Sequence, residues 1–222
     1  MAFENQTLYV RSKSLISVRS KIIDAGSGLA AGNVSVKITT IDASEKLVYG
    51  GPVRHDIPVD LGRFLLSHAT IYSITLEAAD LAGNLASAHA FIHIDDTAPT
   101  TGLVLDDVDK IQVQCHGSSR VICVGWSPHV DSESTVLFYE VAVATKLDKE
   151  HDLLAFGSKI ESLLAYVELN GTSSALLRPG DSIFVFVKAT NAAGLSSLAV
   201  SRALTISCAT HQCQCSQDIV CV

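Results

Sequence analysis

An all-β chain, built as two tandem β-sandwiches with a short cysteine-rich C-terminal segment, is the fold class that this sequence predicts. Three observations carry that prediction. Ile183, Val185, Val187 and Ala189 alternate with Phe184, Phe186 and Lys188, a period of two that belongs to a strand and not to a helix. Turn residues bound the run, Pro179-Gly180 before it and Asn191-Ala192-Ala193-Gly194 after it. The same arrangement occurs upstream: Tyr72, Ile74, Leu76 and Ala78 alternate with Ser73, Thr75, Glu77 and Ala79, and Asp80-Leu81-Ala82-Gly83-Asn84 then turns the chain. Two such strand-turn units imply two β-domains, not one enzyme fold.

The first domain is expected over residues 1–97. Val34, Val36 and Ile38 alternate with Ser35, Lys37 and Thr39 and read as a half-buried strand. Asp60-Leu61-Gly62-Arg63-Phe64 is a turn leading into a short strand. Tyr72 to Ala78 is the central strand, and Ala88, Ala90, Ile92 and Ile94 mark the inner face of the last one. Asp95-Asp96-Thr97-Ala98-Pro99-Thr100 ends the domain, because a proline there denies the ladder a hydrogen bond.

The second domain is expected over residues 98–207. Ile122, Val124 and Trp126 form one inner face, anchored by the only tryptophan, and Leu137, Tyr139, Val141 and Val143 form the next. Ser162 to Leu169 could be helical, but Tyr166, Val167 and the turn at Asn170-Gly171 favour a strand. Leu198, Val200, Ala203, Leu204 and Ile206 close the domain with imperfect alternation.

Residues 208–222 hold four of the six cysteines, Cys208, Cys213, Cys215 and Cys221, in a polar stretch that cannot bury a core. Such a stretch needs disulfides or a metal. His211 keeps zinc open, but paired C-x2-C knuckles are missing and disulfides weigh above it. The segment reads as the start of a truncated module. Cys115 and Cys123, on either side of Gly117-Ser118-Ser119, are candidates for a bridge across the neck of a hairpin, with two buried thiols as the alternative.

Composition excludes some functions. A net charge of −7 argues against nucleic acid as a partner, since no basic patch could offset phosphate repulsion. No apolar stretch reaches the ~20 residues of a membrane helix. Met1-Ala2-Phe3-Glu4-Asn5-Gln6 has neither a basic leader nor an apolar segment, so an extracellular reading requires a piece of a longer chain. Sequons at Asn5, Asn33 and Asn170 are glycosylation candidates on that reading.

Trp126, Tyr139, the Leu177-Arg178-Pro179-Gly180 turn and the strand ending in Ala189-Thr190-Asn191-Ala192-Ala193-Gly194 together resemble a fibronectin type III domain. One position departs from that family: Ile183 stands where a corner tyrosine is usual. The first domain resembles bacterial-type Ig-like repeats through Asp24-Ala25-Gly26-Ser27-Gly28, Asp60-Leu61-Gly62-Arg63-Phe64, Asp80-Leu81-Ala82-Gly83-Asn84 and Asp95-Asp96-Thr97-Ala98-Pro99-Thr100. The two resemblances cover almost everything except the cysteine tail. They imply fold more than function, because such sandwiches carry many activities.

No nucleophile elbow, His-Glu-x-x-His pair or phosphate loop is present, and no residue looks catalytic. His89 and His93, with Phe91 between them, fall on one outward strand face at about 13 Å, too far for one metal ion. Asp95 and Asp96, with Asp106, Asp107 and Asp109 nearby in sequence, could hold calcium; as turn residues they would need none. The fibronectin arrangement would make the strands of Tyr139 and Val185 neighbours. Phe138, Phe184 and Phe186 would then form an apolar outer face, a candidate interaction surface. The mean hydropathy of +0.33 agrees with burial against something.

The expected function is therefore a non-enzymatic structural or adhesive repeat region of an extracellular or cell-surface protein, such as part of a surface filament. Its partners would be copies of itself or neighbouring domains. A module recognising glycan or protein is the first alternative, though Lys146 to His151 offers no Trp or Tyr. An accessory region of a secreted enzyme is the second.

Overall fold

β-Branched and aromatic residues at alternate positions make strands wherever one face can be buried, and both halves of this protein follow that rule. The computed structural model describes residues 7–16, 29–41, 47–52, 59–105, 111–116, 119–149, 152–169, 177–178 and 180–206. The chain forms two compact units, Met1–Thr97 and Ala98–Val222. Among the described residues there are strands and one 3-10 turn, but no α-helix.

The first unit contains β1 (Thr7–Val10), β2 (Leu15–Ile16), β3 (Leu29–Thr40), β4 (Leu47–Pro52), β5 (Val59–Asp60), β6 (Ile71–Asp80) and β7 (Leu85–Ile94). Its main sheet has the order β1-β7-β6-β3-β4, with β1 parallel to β7 and the other pairs antiparallel. β2 and β5 pair separately. The hairpin β6-β7 extended from β3 is the G-F-C arrangement of an immunoglobulin-type sandwich. Tyr72, Ile74, Leu76 and Ala78 are buried on one face of β6, and the first three meet Val36, Ile38, Ile92 and Ile94. The expected alternation holds there. It fails at Ala90, which is exposed although its parity matches Ile92.

Asp60 ends β5 and accepts the Gly62 N–H at 3.0 Å, capping a 3-10 turn over Leu61–Arg63. Leu61 is buried by that turn. The short strand expected after Phe64 does not form; the strand precedes the turn instead. The Phe64 N–H closes that turn on the Leu61 carbonyl at 3.0 Å, a local three-residue bond of the 3-10 type.

The second unit contains β8 (Val104–Leu105), β9 (Ile111–His116), β10 (Ser119–Trp126), β11 (Val136–Ala144), β12 (Leu164–Leu169), β13 (Ser182–Asn191), β14 (Ser196–Val200) and β15 (Leu204–Thr205). β10 pairs with β12 on one edge and with β8 and β9 on the other. β13 lies between β11 and β14 in a second sheet. This division into two antiparallel sheets is again that of an immunoglobulin-type sandwich. Trp126, 2% exposed, fills the core with Ile122, Val124, Tyr139, Val141, Ile183 and Val185. Its ring centroid is 5.3 Å from that of Tyr139. The segment 164–169 is strand, as Tyr166 and Val167 favoured.

Two inner-face expectations need correction. Leu137 is 52% exposed because a β-bulge falls between Val136 and Phe138. The extra residue turns Leu137 outward and lets Val136 pack on the core in its place. Leu198 and Val200 also face outward. The register sets Lys188 opposite Leu198 and Phe186 opposite Val200, so Ala199 is the buried member of β14.

Candidate functional site

The outer face of β11 and β13 is where the contact surface was expected; the two strands are neighbours, but the register brings only Phe184 and Phe186 together and leaves Phe138 several rungs away. Ala142 pairs with Phe186, Ala144 with Phe184 and Phe138 with Thr190. The face is nevertheless not open. Phe186 is 2% exposed and clusters with Ala142 and Ala144, while Phe156, Phe184 and Leu198 pack against it.

Phe156 comes from a segment that runs back along β11 and is tied to it by bridges between Tyr139 and Ile160 and between Val143 and Leu154. Asp152 anchors the start of that segment by accepting the Thr145 N–H at 2.7 Å. Lys188 lies 4.6 Å from the Phe156 ring centroid and forms an ion pair of 2.6 Å with Glu140, its cross-strand partner. Lys159 covers Phe138 in the same way, at 4.2 Å. The phenylalanines are thus covered by a strap of their own chain. Beyond the charged stretch Lys146 to His151, the apolar residues Leu153, Leu154, Phe156 and Ile160 seat this strap.

A second polar cluster, which sequence reading did not single out, is built on the turn after β10. Asp131 accepts the N–H groups of Glu133 and Ser134 through Oδ1 and the Asn191 side-chain amide through Oδ2, at 3.2, 2.7 and 2.9 Å. Burial alone would raise the Asp131 pKa, but the hydrogen bonds from Asn191, Ser134 and Glu133 outweigh it and hold the carboxyl below its ordinary range. Asn191 in turn accepts the Leu195 N–H at 2.8 Å, closing the β13-β14 turn.

Beside this network lies His129, 4% exposed. Its ring Nδ1 is 2.8 Å from Ser197 Oγ and its ring Nε2 is buried without a partner, while its backbone N–H donates to Tyr139 Oη at 3.4 Å. Burial lowers its pKa below the ordinary value of 6.5. The motif Asp131-x-x-Ser134 is the one local signal that could have revealed the cluster, as an Asx turn.

The remaining expected residues are placed as follows. Asp95 is buried and accepts both the N–H and the hydroxyl of Thr97 at 3.0 and 3.1 Å. Asp96 is exposed and accepts the Ser12 N–H at 2.8 Å. Each carboxylate has at least one oxygen engaged at the strand end. Asp106, Asp107 and Asp109 lie outside the described residues. His89 and His93 share the outward face of β7; His89 meets the Thr75 hydroxyl at 3.0 Å and His93 packs on Tyr9 at 5.5 Å.

The β9-β10 ladder sets Cys115 opposite Arg120 and Cys123 opposite Gln112. The two cysteines are therefore three rungs apart, about 10 Å along the strands, beyond the ~7 Å Cα span of a disulfide. The expected bridge does not fit this register. Cys208, Cys213, Cys215 and Cys221 fall outside the described residues, as do Asn5 and Asn170. Asn33 lies in β3, where the ladder to β6 shifts register between Leu29 and Val34.

No protein family and no curated protein matches the chain in sequence. Solved structures that it resembles include fibronectin(III)-like modules of Clostridium thermocellum CbhA, at 10% identity and a TM-score of 0.44, covering 89% of this chain and 88% of that one. The FN1-FN3 domains of chicken CNTN1 follow at 18% identity and 0.47, covering 91% of this chain and 62% of theirs. A 1.5-MDa bacterial ice-binding adhesin is similar at 12% identity and 0.38, covering 90% and 60%. By its own sheet pairing, the protein is all-β, with tandem immunoglobulin-type sandwiches. No helix among the described residues is long and apolar enough to cross a membrane.

Proposed function

We propose that this chain is a non-enzymatic structural or adhesive region of an extracellular or cell-surface protein, in which two sandwiches act as spacers and carry contacts to neighbouring domains or partner proteins. The observation that supports this most is that each unit buries its apolar residues in a core of its own, while the outer sheet face of the first is polar and that of the second is covered. In the first unit that face carries the Lys37–Glu77 and Thr75–His89 pairs. In the second unit the strap covers it. Phe186 is buried and Phe138 and Phe184 are half-buried under the strap, so on this reading contacts fall to loops and exposed strand faces.

Glycans at Asn5, Asn33 and Asn170 and disulfides among Cys208, Cys213, Cys215 and Cys221 belong to the same proposal. Labelling of intact cells with an impermeant amine reagent, followed by non-reducing intact-mass measurement of the native protein, tests it. A labelled chain with added glycan mass and thiols resistant to alkylation supports the extracellular reading. An unlabelled, unmodified chain with every thiol alkylatable overturns it.

A further inference from the structure

We infer that the N-terminal entry segment of the second unit is held by a pH-sensitive latch whose titrating group is the His129 imidazole, so that acidification loosens that end of the sandwich. The segment is clamped across the turn that follows β10 by five hydrogen bonds. Thr100 N–H donates to the Val130 carbonyl at 2.7 Å, the Thr100 hydroxyl donates to the same oxygen at 2.9 Å, and Val130 N–H returns to Thr100 at 3.3 Å. Ser127 N–H donates to the Leu103 carbonyl at 2.9 Å, and Leu103 N–H donates to Ser127 Oγ at 2.8 Å. Between these pairs sits Gly102, so close that an added Cβ would lie 2.3 Å from the Ser127 oxygen and 2.9 Å from His129 Cδ2. The imidazole is therefore a packed element of the clamp, with Tyr139 against its other side at 5.6 Å between ring centroids.

Either tautomer gives the same result. If Nδ1 donates to Ser197, Nε2 is a buried lone pair; if Nδ1 accepts, Nε2–H is a buried donor without an acceptor. The imidazolium has donors at both nitrogens and a charge, yet only the Ser197 hydroxyl is there to receive them. Among the described residues, no hydrogen bond or ion pair joins the ring to a carboxylate. The entry residues Thr100, Thr101, Gly102 and Leu103 carry no ionisable group, Tyr139 presents a phenol, and β14 presents a hydroxyl. The acids that follow in the chain are engaged in their own turn: Asp131 with Glu133, Ser134 and Asn191, and Glu133 with the Ser132 hydroxyl at 2.6 Å.

Burial lowers the folded pKa, so the native state favours the neutral ring and the loosened state binds the extra proton. The latch is intact above an unfolded histidine pKa of about 6.5 and weakens as pH falls below it, by up to about tenfold per pH unit for one proton. The test uses the full chain. Trp126, the only tryptophan, reports the urea midpoint of the second unit from about pH 7.5 to about pH 5.

The midpoint should fall with pH in the wild type and stay level in His129→Gln, whereas His68→Gln and His89→Gln keep the fall. A level wild-type curve, or a fall that survives in His129→Gln, overturns the latch. Should His129→Gln not fold, NMR titration of the wild-type imidazole decides: titration below the ordinary value, with loss of Thr100 and Leu103 amide protection in step, supports the latch. Titration at or above it overturns the latch.

Discussion

Single atoms decide more here than residue type does. Tyr72, at the start of β6, accepts the Ser67 N–H through its hydroxyl at 2.8 Å, a link from strand to preceding corner that immunoglobulin-type sandwiches use widely. The second unit lacks it, because Ile183, fully buried, occupies the comparable position expected from the resemblance. Tyr72→Phe should therefore cost the first unit about 1 kcal/mol, the net worth of one hydrogen bond. Chemical denaturation followed by tyrosine fluorescence or circular dichroism measures it, and an unchanged midpoint would show the corner to be ornamental. Gly102→Ala is expected to cost more, about 2–3 kcal/mol, since the new methyl meets a backbone oxygen that no rotamer change can move. Trp126 fluorescence in urea reads that loss directly.

At the scale of elements, strands with a buried face were legible and their exceptions were not. The alternation of β6, β10 and β13 announced itself because one face of each fills a core. The bulge at Leu137 was invisible, since an inserted residue leaves composition untouched and only shifts parity. Which segment forms the strap was illegible for a different reason. Phe156 lies in an irregular segment with no period, and what it covers is set by the long-range bridges of Leu154 and Ile160 to β11.

The physical consequence is testable. On an open face Phe186→Asp would be harmless. In this structure it places a carboxylate where 2% of the residue is exposed. Several kcal/mol of destabilisation are expected, or failure to fold. Phe156→Ala should instead keep the fold at a cost of about 2 kcal/mol while uncovering Phe184 and Phe186. Concentration-dependent self-association by light scattering, in this variant and not in the wild type, is the expected outcome. A monodisperse Phe156→Ala protein would mean that the face stays closed without its cover.

For the molecule as a whole, two aliphatic cores and an acid-rich surface set how it responds to conditions. Sequence alone revealed the tandem all-β plan, because two cores demand two sets of alternating strands. It could not reveal that Gly102, Ser197 and Asn191 converge on His129 and Asp131 in the turn after β10, because those contacts form only when the sandwich closes. That convergence predicts two separate acid limbs in the stability of the full chain. The first, below about pH 6.5, belongs to His129, whose folded pKa lies under its unfolded value.

The second limb belongs to Asp131 and Asp152, whose carboxyls are held below their ordinary range. Burial works against this in both, but is outweighed by hydrogen bonds from Asn191, Ser134 and Glu133 in the one, and by Thr145 with the charge of Lys149 in the other. Groups with depressed pKa values stabilise the fold above the unfolded value of about 3.9 and lose that contribution as pH falls through the folded one. Urea midpoints from about pH 8 to about pH 2.5 should therefore step down twice with a plateau between. Asp131→Asn should shrink the lower step and leave the upper one intact, while His129→Gln should do the reverse. A single broad decline, unchanged by either substitution, would assign the acid response to the general repulsion of a chain that gains positive charge below its pI of about 5.5, and to neither site.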